Sequence, residues 1–431
     1  MTVSRRELLR SGGLLGAGLL GAALSSGRAF ASMAAEARYP HVTGMIDRYV
    51  SGGSVAGMVA ALGWGEDVPV GIARGVESRG RIAPVTLDSL FRIYSMTKPV
   101  TGMAAMMLVD EGKLQLDQPI ADVLPKFAKM QVQVTPDGAL DQVRPAKTAI
   151  TVRHLLTHTA GLGYTIVQTG PIKAAYEAQG LVPAQISRVP VPGLWTMNAA
   201  PSLEVFADRL AELPLVYEPG TRWSYSVGLD LLGRVIEVVS GQPFDVFLAE
   251  RMFAPAGMDS TWFRVPESQV SRLTTNYALF GGRAVPLDPA DSSVYLQAPA
   301  FPYGGAGLVS SPRDYDRFLA MLLGQGRIGR TRVMSEAAVR LGTSNLLPPG
   351  AVVTDRFVKG GGFGAGGRVG LGEDAGTFGW AGAAGTVGFI NTRVGARAGL
   401  YVQFMPSEAL PVQEEFPKAV LADVMAKKVA A

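Results

Sequence analysis

The 431-residue chain has no cysteine and only three histidines. Disulfides, thiolate nucleophiles and cysteine-ligated zinc or iron–sulfur centres are thereby excluded, and most histidine-based metal sites lose their ligands too. Charge is also scarce. Charged residues make up 18% of the chain against 48% hydrophobic, far too apolar for a disordered polymer and enough for one large core or two lobes. The formal charge of +4 is concentrated at the front, where Arg5, Arg6, Arg10 and Arg28 face a single acid, Glu7. The nearly neutral remainder has no basic stripe to neutralise phosphates, so no nucleic-acid partner is expected. Long apolar runs are missing as well. The mild Gly/Ala/Leu stretch from about Ser11 to Leu24 is shorter than the roughly 20 apolar residues that span a bilayer.

The front of the chain reads as an address. Ser4-Arg5-Arg6-Glu7-Leu8-Leu9 is a twin-arginine pattern, and Ala29-Phe30-Ala31 fits a small-x-small cleavage site. The expectation is a twin-arginine signal over residues 1–31 that sends a folded protein to the periplasm or beyond. The mature chain then starts near Ser32, with no stable membrane insertion; an uncleaved anchor helix is the plainer alternative. A cysteine-free protein suits this route, since it needs no oxidative folding.

Within the mature chain, a helix is expected from Val42 to Tyr49, then strands from Ser54 to Leu62 and Val68 to Ile72 that form a hairpin entering a sheet. From Met96 to Glu111 the sequence is almost wholly apolar and stops at Gly112, the pattern of a buried helix with a glycine at its end. Helical periodicity recurs at 149–156, at 228–239, from Tyr315 to Leu323 and from about Ser335. The Gly/Pro-punctuated stretch 163–202 reads as loop or lid. Strands return at the Gly-rich 360–370, from Thr386 to Asn391 and from Ala398 to Met405, and a last helix runs from Pro411 to about Lys427. Strands at both ends with helices between predict an α+β fold. Its antiparallel sheet is assembled from both chain ends, with flanking helices (about 40–95 and 350–431) and an inserted, mostly helical lobe (about 100–345). The two form one catalytic domain, and a site is expected in the crevice between them.

The sharpest chemical signal is Ser95-Met96-Thr97-Lys98 at the head of the buried helix, followed by Pro99, a residue tolerated only in a helix's first turn. Positions i and i+3 share a helix face, so Ser95 Oγ and Lys98 Nζ can meet. The free N–H groups and positive dipole end of a helix N-terminus favour a developing oxyanion, and apolar neighbours push a lysine toward its neutral, basic form. That is the logic of a Ser–Lys acyl-transfer pair. Four residues alone also fit an N-cap serine followed by a surface lysine, and the surroundings decide between the two.

Phe91-Arg-Ile-Tyr-Ser-Met-Thr-Lys98 resembles the nucleophile segment of the serine-hydrolase superfamily of class C β-lactamases, family VIII esterases and DD-peptidases. Further segments follow in that superfamily's order. They are Gly112-Lys-Leu-Gln-Leu-Asp117, Ile150 to Leu162, Tyr217-Glu-Pro-Gly-Thr-Arg-Trp-Ser-Tyr-Ser226, Leu229 to Gly241, and Gly304-Gly-Ala-Gly-Leu-Val-Ser310. The resemblance covers about residues 40–405. It implies a β-lactamase/transpeptidase-like fold and an acyl-serine intermediate on Ser95, with no cofactor or metal. Tyr225 is implied to converge on Ser95 and Lys98 within hydrogen-bonding reach, as base toward Ser95 and acid toward the leaving group. It further implies an oxyanion hole from the Ser95 N–H and a backbone N–H beside Ala381, in Trp380-Ala381-Gly382.

Two departures bear on the substrate. Val227 stands where lactamases carry an asparagine that holds the substrate amide, and Trp380 stands where they carry the lysine of Lys-Thr-Gly. Both point toward neutral esters, with Trp380, Tyr164, Trp195 and Tyr303 lining an acyl pocket. The expected partner is thus a small-molecule ester or amide. A β-lactamase or D-amino-acid-specific peptidase, an acyltransferase, and a catalytically inactive module that binds cell-wall fragments are the alternatives; oligomeric state is not readable. Other motifs have plainer explanations. His154 and His158 are spaced like zinc ligands but lack the Glu of H-E-x-x-H, so both are expected to be structural, with His41 the remaining histidine. Gly362-Phe-Gly-Ala-Gly-Gly367 matches a dinucleotide fingerprint, yet no helix follows it. No G-x-S-x-G elbow occurs.

Overall fold

The computed structural model describes residues 36–430 apart from 183, 192–197, 282, 355, 356 and 359. The twin-arginine segment, its cleavage site and Trp195 lie outside the described residues. Helix α1 (Pro40–Ser51) leads into the hairpin of β1 (Gly57–Trp64) and β2 (Val70–Gly75). The chain then runs through α2 (Thr97–Asp110), α3 (Gly228–Ser240), α4 (Pro312–Leu323) and α5 (Glu336–Gly342). It returns as β3 (Gly362–Phe363), β4 (Arg368–Val369), β5 (Thr377–Ala381), β6 (Val387–Asn391) and β7 (Ala396–Tyr401), and ends in α6 (Val412–Ala430).

These strands form one sheet in the order β3-β4-β5-β6-β7-β1-β2, every neighbouring pair antiparallel. The pairing of β1 with β7, from Val59 opposite Tyr401 to Trp64 opposite Ala396, stitches the two chain ends together as expected. β1 is covered on both faces. Met58, Ala60 and Leu62 pack with α1 and α6, whereas Val59 and Ala61 face the inserted helices. A strand buried on both sides has no solvent face to carry polar residues, hence its unbroken apolar sequence. The inner-face cluster continues from Val59 and Ala61 through α2 and α3, so sheet and helical lobe share one core. Twelve of the fourteen residues of α2 are buried, in keeping with a helix that is apolar all round. Among the described residues no helix is long and apolar enough to cross a membrane.

Two local expectations are corrected, and one element goes beyond them. The stretch taken for loop or lid contains a helix, Gly170–Ala178, entered through Pro171 and anchored by buried Ile172 and Tyr176. Its aromatic is an inward anchor, and Tyr176 Oη accepts the Gly163 N–H at 2.9 Å. The helical lobe also carries a hairpin, Asn276–Phe280 with Arg283–Asp288. The strand expected from Ala398 to Met405 is broken in two, because Phe404–Met405 leaves the main sheet to pair in parallel with that hairpin. Gln403 marks the break, its amide donating to the Arg92 carbonyl at 3.0 Å.

Candidate active site

Ser95 lies in a single 3₁₀ turn, Tyr94–Met96, that runs directly into α2, with Pro99 the third residue of that helix. Tyr94 has φ +40°, a left-handed value held by complete burial and by Asn276 Nδ2 donating to its Oη at 3.2 Å. Such strained residues cluster where a side chain must be presented in one direction. The short strand Phe91–Arg92 before the turn pairs with Val309–Ser310, which draws Gly304-Gly305 alongside α2. Thr101 Oγ1 donates to the Gly304 carbonyl at 2.7 Å.

Lys98 is fully buried. Its Nζ donates to Ser95 Oγ at 3.2 Å and to the Gly305 carbonyl at 2.8 Å. It also sits 4.5 Å from the centroid of the Tyr225 ring and 5.5 Å from that of Tyr164, within cation–π range of both. The amine is therefore held on several sides with one bond aimed at the serine.

Tyr225 joins the pair in the same cleft, though not in the way expected. Its ring face meets Lys98, while its hydroxyl accepts the Trp380 Nε1–H at 3.1 Å, the phenol's one hydrogen-bond partner among the described residues. Catalytic hydrogen bonds are often long before substrate arrives, so the phenol keeps its candidacy on proximity. An indole N–H and an ammonium both stabilise negative charge building on the phenol oxygen as it hands over a proton. Trp223 stacks on Tyr225 at 5.9 Å, and His158 meets it edge-on at 4.8 Å. His158 is fully buried, with Nδ1 2.9 Å from Ser226 Oγ; burial, and secondarily Lys98, depress its pKa well below the usual value. A neutral ring thus backs the phenol. His154 is instead part of its own helix cap, Nδ1 accepting the Thr151 N–H at 3.2 Å, and burial lowers its pKa to about 4. The two histidines serve different elements, and among the described residues no cluster of His, Asp or Glu converges as a metal site.

Trp380 and Ala381 end β5 at the cleft, together with Gly382. The Gly382 N–H is already donated to the Thr386 carbonyl at 2.8 Å. A Cβ at Gly382 would lie 2.4 Å from the Ile93 carbonyl oxygen, so this glycine brings the strand end against the turn that carries Ser95. Val227, buried, supplies no amide to the site. The cleft has a volume of about 1110 Å³ and runs from Ser95, Tyr225 and Trp380 past Phe357 and Phe389 to Leu421 and Met425 of α6. Its lining also includes charged residues, among them Glu414 and Lys418 of α6 and Arg368, which is paired with Asp374 at 3.0 Å.

Two residues expected in the acyl pocket belong elsewhere. Tyr164 is buried behind Tyr225, their rings 5.2 Å apart, and does not line the cleft. Tyr303 is buried against Phe301 at 4.1 Å. Aromatic identity alone does not separate a wall of a cleft from a core anchor. The residue that sequence reasoning missed is Asp230, in the first turn of α3, whose Oδ1 accepts the Gly305 N–H at 2.8 Å. Its only signal was an acid in the first turn of a mostly apolar helical run.

The Beta-lactamase family model matches residues 42–419. Protein Rv1367c of Mycobacterium tuberculosis (strain ATCC 25618 / H37Rv) is 40% identical over 258 residues, 60% of this chain and 60% of its own. Esterase EstB of Burkholderia gladioli is 31% identical over 262 residues, 57% of this chain and 60% of its own. The matched region thus spans about three fifths of the length of these curated relatives. Among solved structures, EstCE1, described as a hydrolase with promiscuous acyltransferase activity, has the same fold. It superposes with a TM-score of 0.70 at 24% identity, covering 89% of this chain and 99% of that one.

Proposed function

The chain belongs to the Beta-lactamase family, and from that premise we propose that it is an exported serine hydrolase cleaving carboxylic esters through an acyl-Ser95 intermediate. Ser95 Oγ attacks the ester carbonyl, and its proton passes to the Tyr225–Lys98 pair, which accepts it while the two groups together hold one proton fewer than a phenol plus an ammonium. The developing oxyanion is met by backbone N–H groups of Ser95 and of the strand end at Ala381. The proton then goes to the departing alkoxide, leaving the serine acylated. Water, activated by the same pair, releases the acid and restores Ser95.

The observation that carries this reading is the 3.2 Å bond from a fully buried Lys98 to Ser95 Oγ at the end of an apolar cleft. The absence of an amide at Val227, and the indole at Trp380 where a lactam carboxylate would need a cation, favour neutral esters. The name of EstB supports the same substrate class. Replacing Ser95 by Ala is expected to abolish hydrolysis of short p-nitrophenyl esters by folded protein, and retained turnover would refute the assignment. Nitrocefin turned over as fast as esters would move the reading to β-lactams. Export rests on the twin-arginine pattern alone; N-terminal sequencing of periplasmic protein should begin near Ser32.

A further inference from the structure

A carboxylate that sees no solvent and leaves one oxygen unpaired calls for a cause. Asp230 is fully buried, its Oδ1 takes the Gly305 N–H at 2.8 Å, and its Oδ2 has no hydrogen-bond partner. A neutral Asn or Ser could accept that N–H without the cost of burying a charge. On the other side of the Gly305 Cα, the Gly305 carbonyl accepts Lys98 Nζ at 2.8 Å. Gly305 is therefore gripped from both sides, by an acid of α3 and an amine of α2. A Cβ on it would fall 2.6 Å from Asp230 Oδ2, so only glycine lets the three groups close up.

We propose that Asp230 is a positioning residue for the reaction: through Gly305 it fixes the carbonyl that aims Lys98 at Ser95, and its negative charge supports the ammonium. The proposal rests on the reading that Lys98 serves Ser95. Asp230 touches no substrate, since it does not line the cleft. The charged and titratable groups acting on it are Lys98 from α2 and the two tyrosines packed against it, Tyr164 and Tyr303. Both phenols are pushed up by burial and stay neutral, which leaves Lys98 as the countercharge. Burial raises the Asp230 carboxyl to about 6, with Lys98 opposing the rise. Above that pH the acid is ionised; as pH falls through it, the acid takes up a proton and the support for Lys98 is lost.

The test is steady-state kinetics of the full mature chain on p-nitrophenyl butyrate from pH 5 to 8, comparing wild type, Asp230→Asn and Ser95→Ala. Asn keeps the acceptor for Gly305 and the shape of the site, so a merely structural role would leave kcat unchanged. The expected result is a wild-type kcat that falls as pH drops through about 6. In Asp230→Asn that limb should be absent and kcat lower by about 10- to 100-fold at pH 8, a loss typical of a misplaced catalytic group, with KM within about twofold. A folded Asp230→Asn with kcat within about twofold of wild type and the same acid limb overturns the proposal. Should that variant fail to fold, the wild-type profile decides, a kcat flat down to pH 5 overturning it. Hydrolysis that survives in Ser95→Ala overturns the underlying reading instead, so the two failures are told apart.

Discussion

The two ends of the cleft are built from opposite materials. Around Ser95 the chain packs a buried amine, a buried acid, a phenol and an indole N–H, linked by hydrogen bonds of 2.8 to 3.2 Å. Toward α6 the walls are Phe389, Leu421 and Met425, the last two exposed. The first region has little freedom, because each polar group left without its partner in a dry interior costs free energy. The second mixes exposed apolar side chains with Gln413, Glu414 and Lys418 at its edge, and its apolar part selects mainly by area. Such a division predicts that changes near Ser95 act on kcat, and changes along the wall act on KM in proportion to the substrate surface they cover.

The largest effect should come from Lys98→Ala. It removes the donor to Ser95 Oγ and the cation over Tyr225, and kcat on a short ester is expected to fall by about 10³-fold or more with KM little changed. A loss confined to KM would break the comparison. Trp380→Ala touches both regions, since the indole both lines the cleft and donates to Tyr225. We expect kcat/KM to drop by about 10- to 100-fold, and Trp380→Phe, which keeps the wall but loses the N–H, to recover KM but not kcat. Gly382→Ala tests the junction. A Cβ 2.4 Å from the Ile93 carbonyl oxygen must displace the turn before Ser95, which should cost about 1–3 kcal/mol in unfolding free energy measured by urea titration. The smallest effect belongs to the far wall. Leu421→Ser should raise KM for p-nitrophenyl decanoate by about threefold to tenfold, the equivalent of burying part of one aliphatic side chain. It should leave the acetate ester unchanged, and equal effects on both esters would mean that acyl chains do not reach α6.

Much of the first region could be read without coordinates. Ser-x-x-Lys and a proline three residues into an apolar helix are local patterns whose spacing specifies which side chains share a face, while Tyr225 and Trp380-Ala-Gly382 were legible only through the family resemblance. Asp230 could not be read this way. An acid in the first turn of a helix usually answers the helix dipole from the surface, and only the fold brings Gly305 over it. Tyr164 and Tyr303 failed in the opposite direction: their chemistry suited a pocket, but packing turned both inward. The helix Gly170–Ala178 and the hairpin Asn276–Asp288 escaped because short elements with glycine and proline at their borders look like loops until a partner buries them.

Residue order by itself marked strand material at both chain ends, the buried helix and the nucleophile–amine pair, since each is a local pattern or an apolar run of set length. Only the tertiary structure decided that the Tyr225 hydroxyl turns to Trp380 while its ring faces Lys98, and that an acid 132 positions beyond Lys98 reaches it through a glycine. Those choices belong to packing, where side chains far apart in the chain compete for the same few ångströms, and no local pattern records the winner.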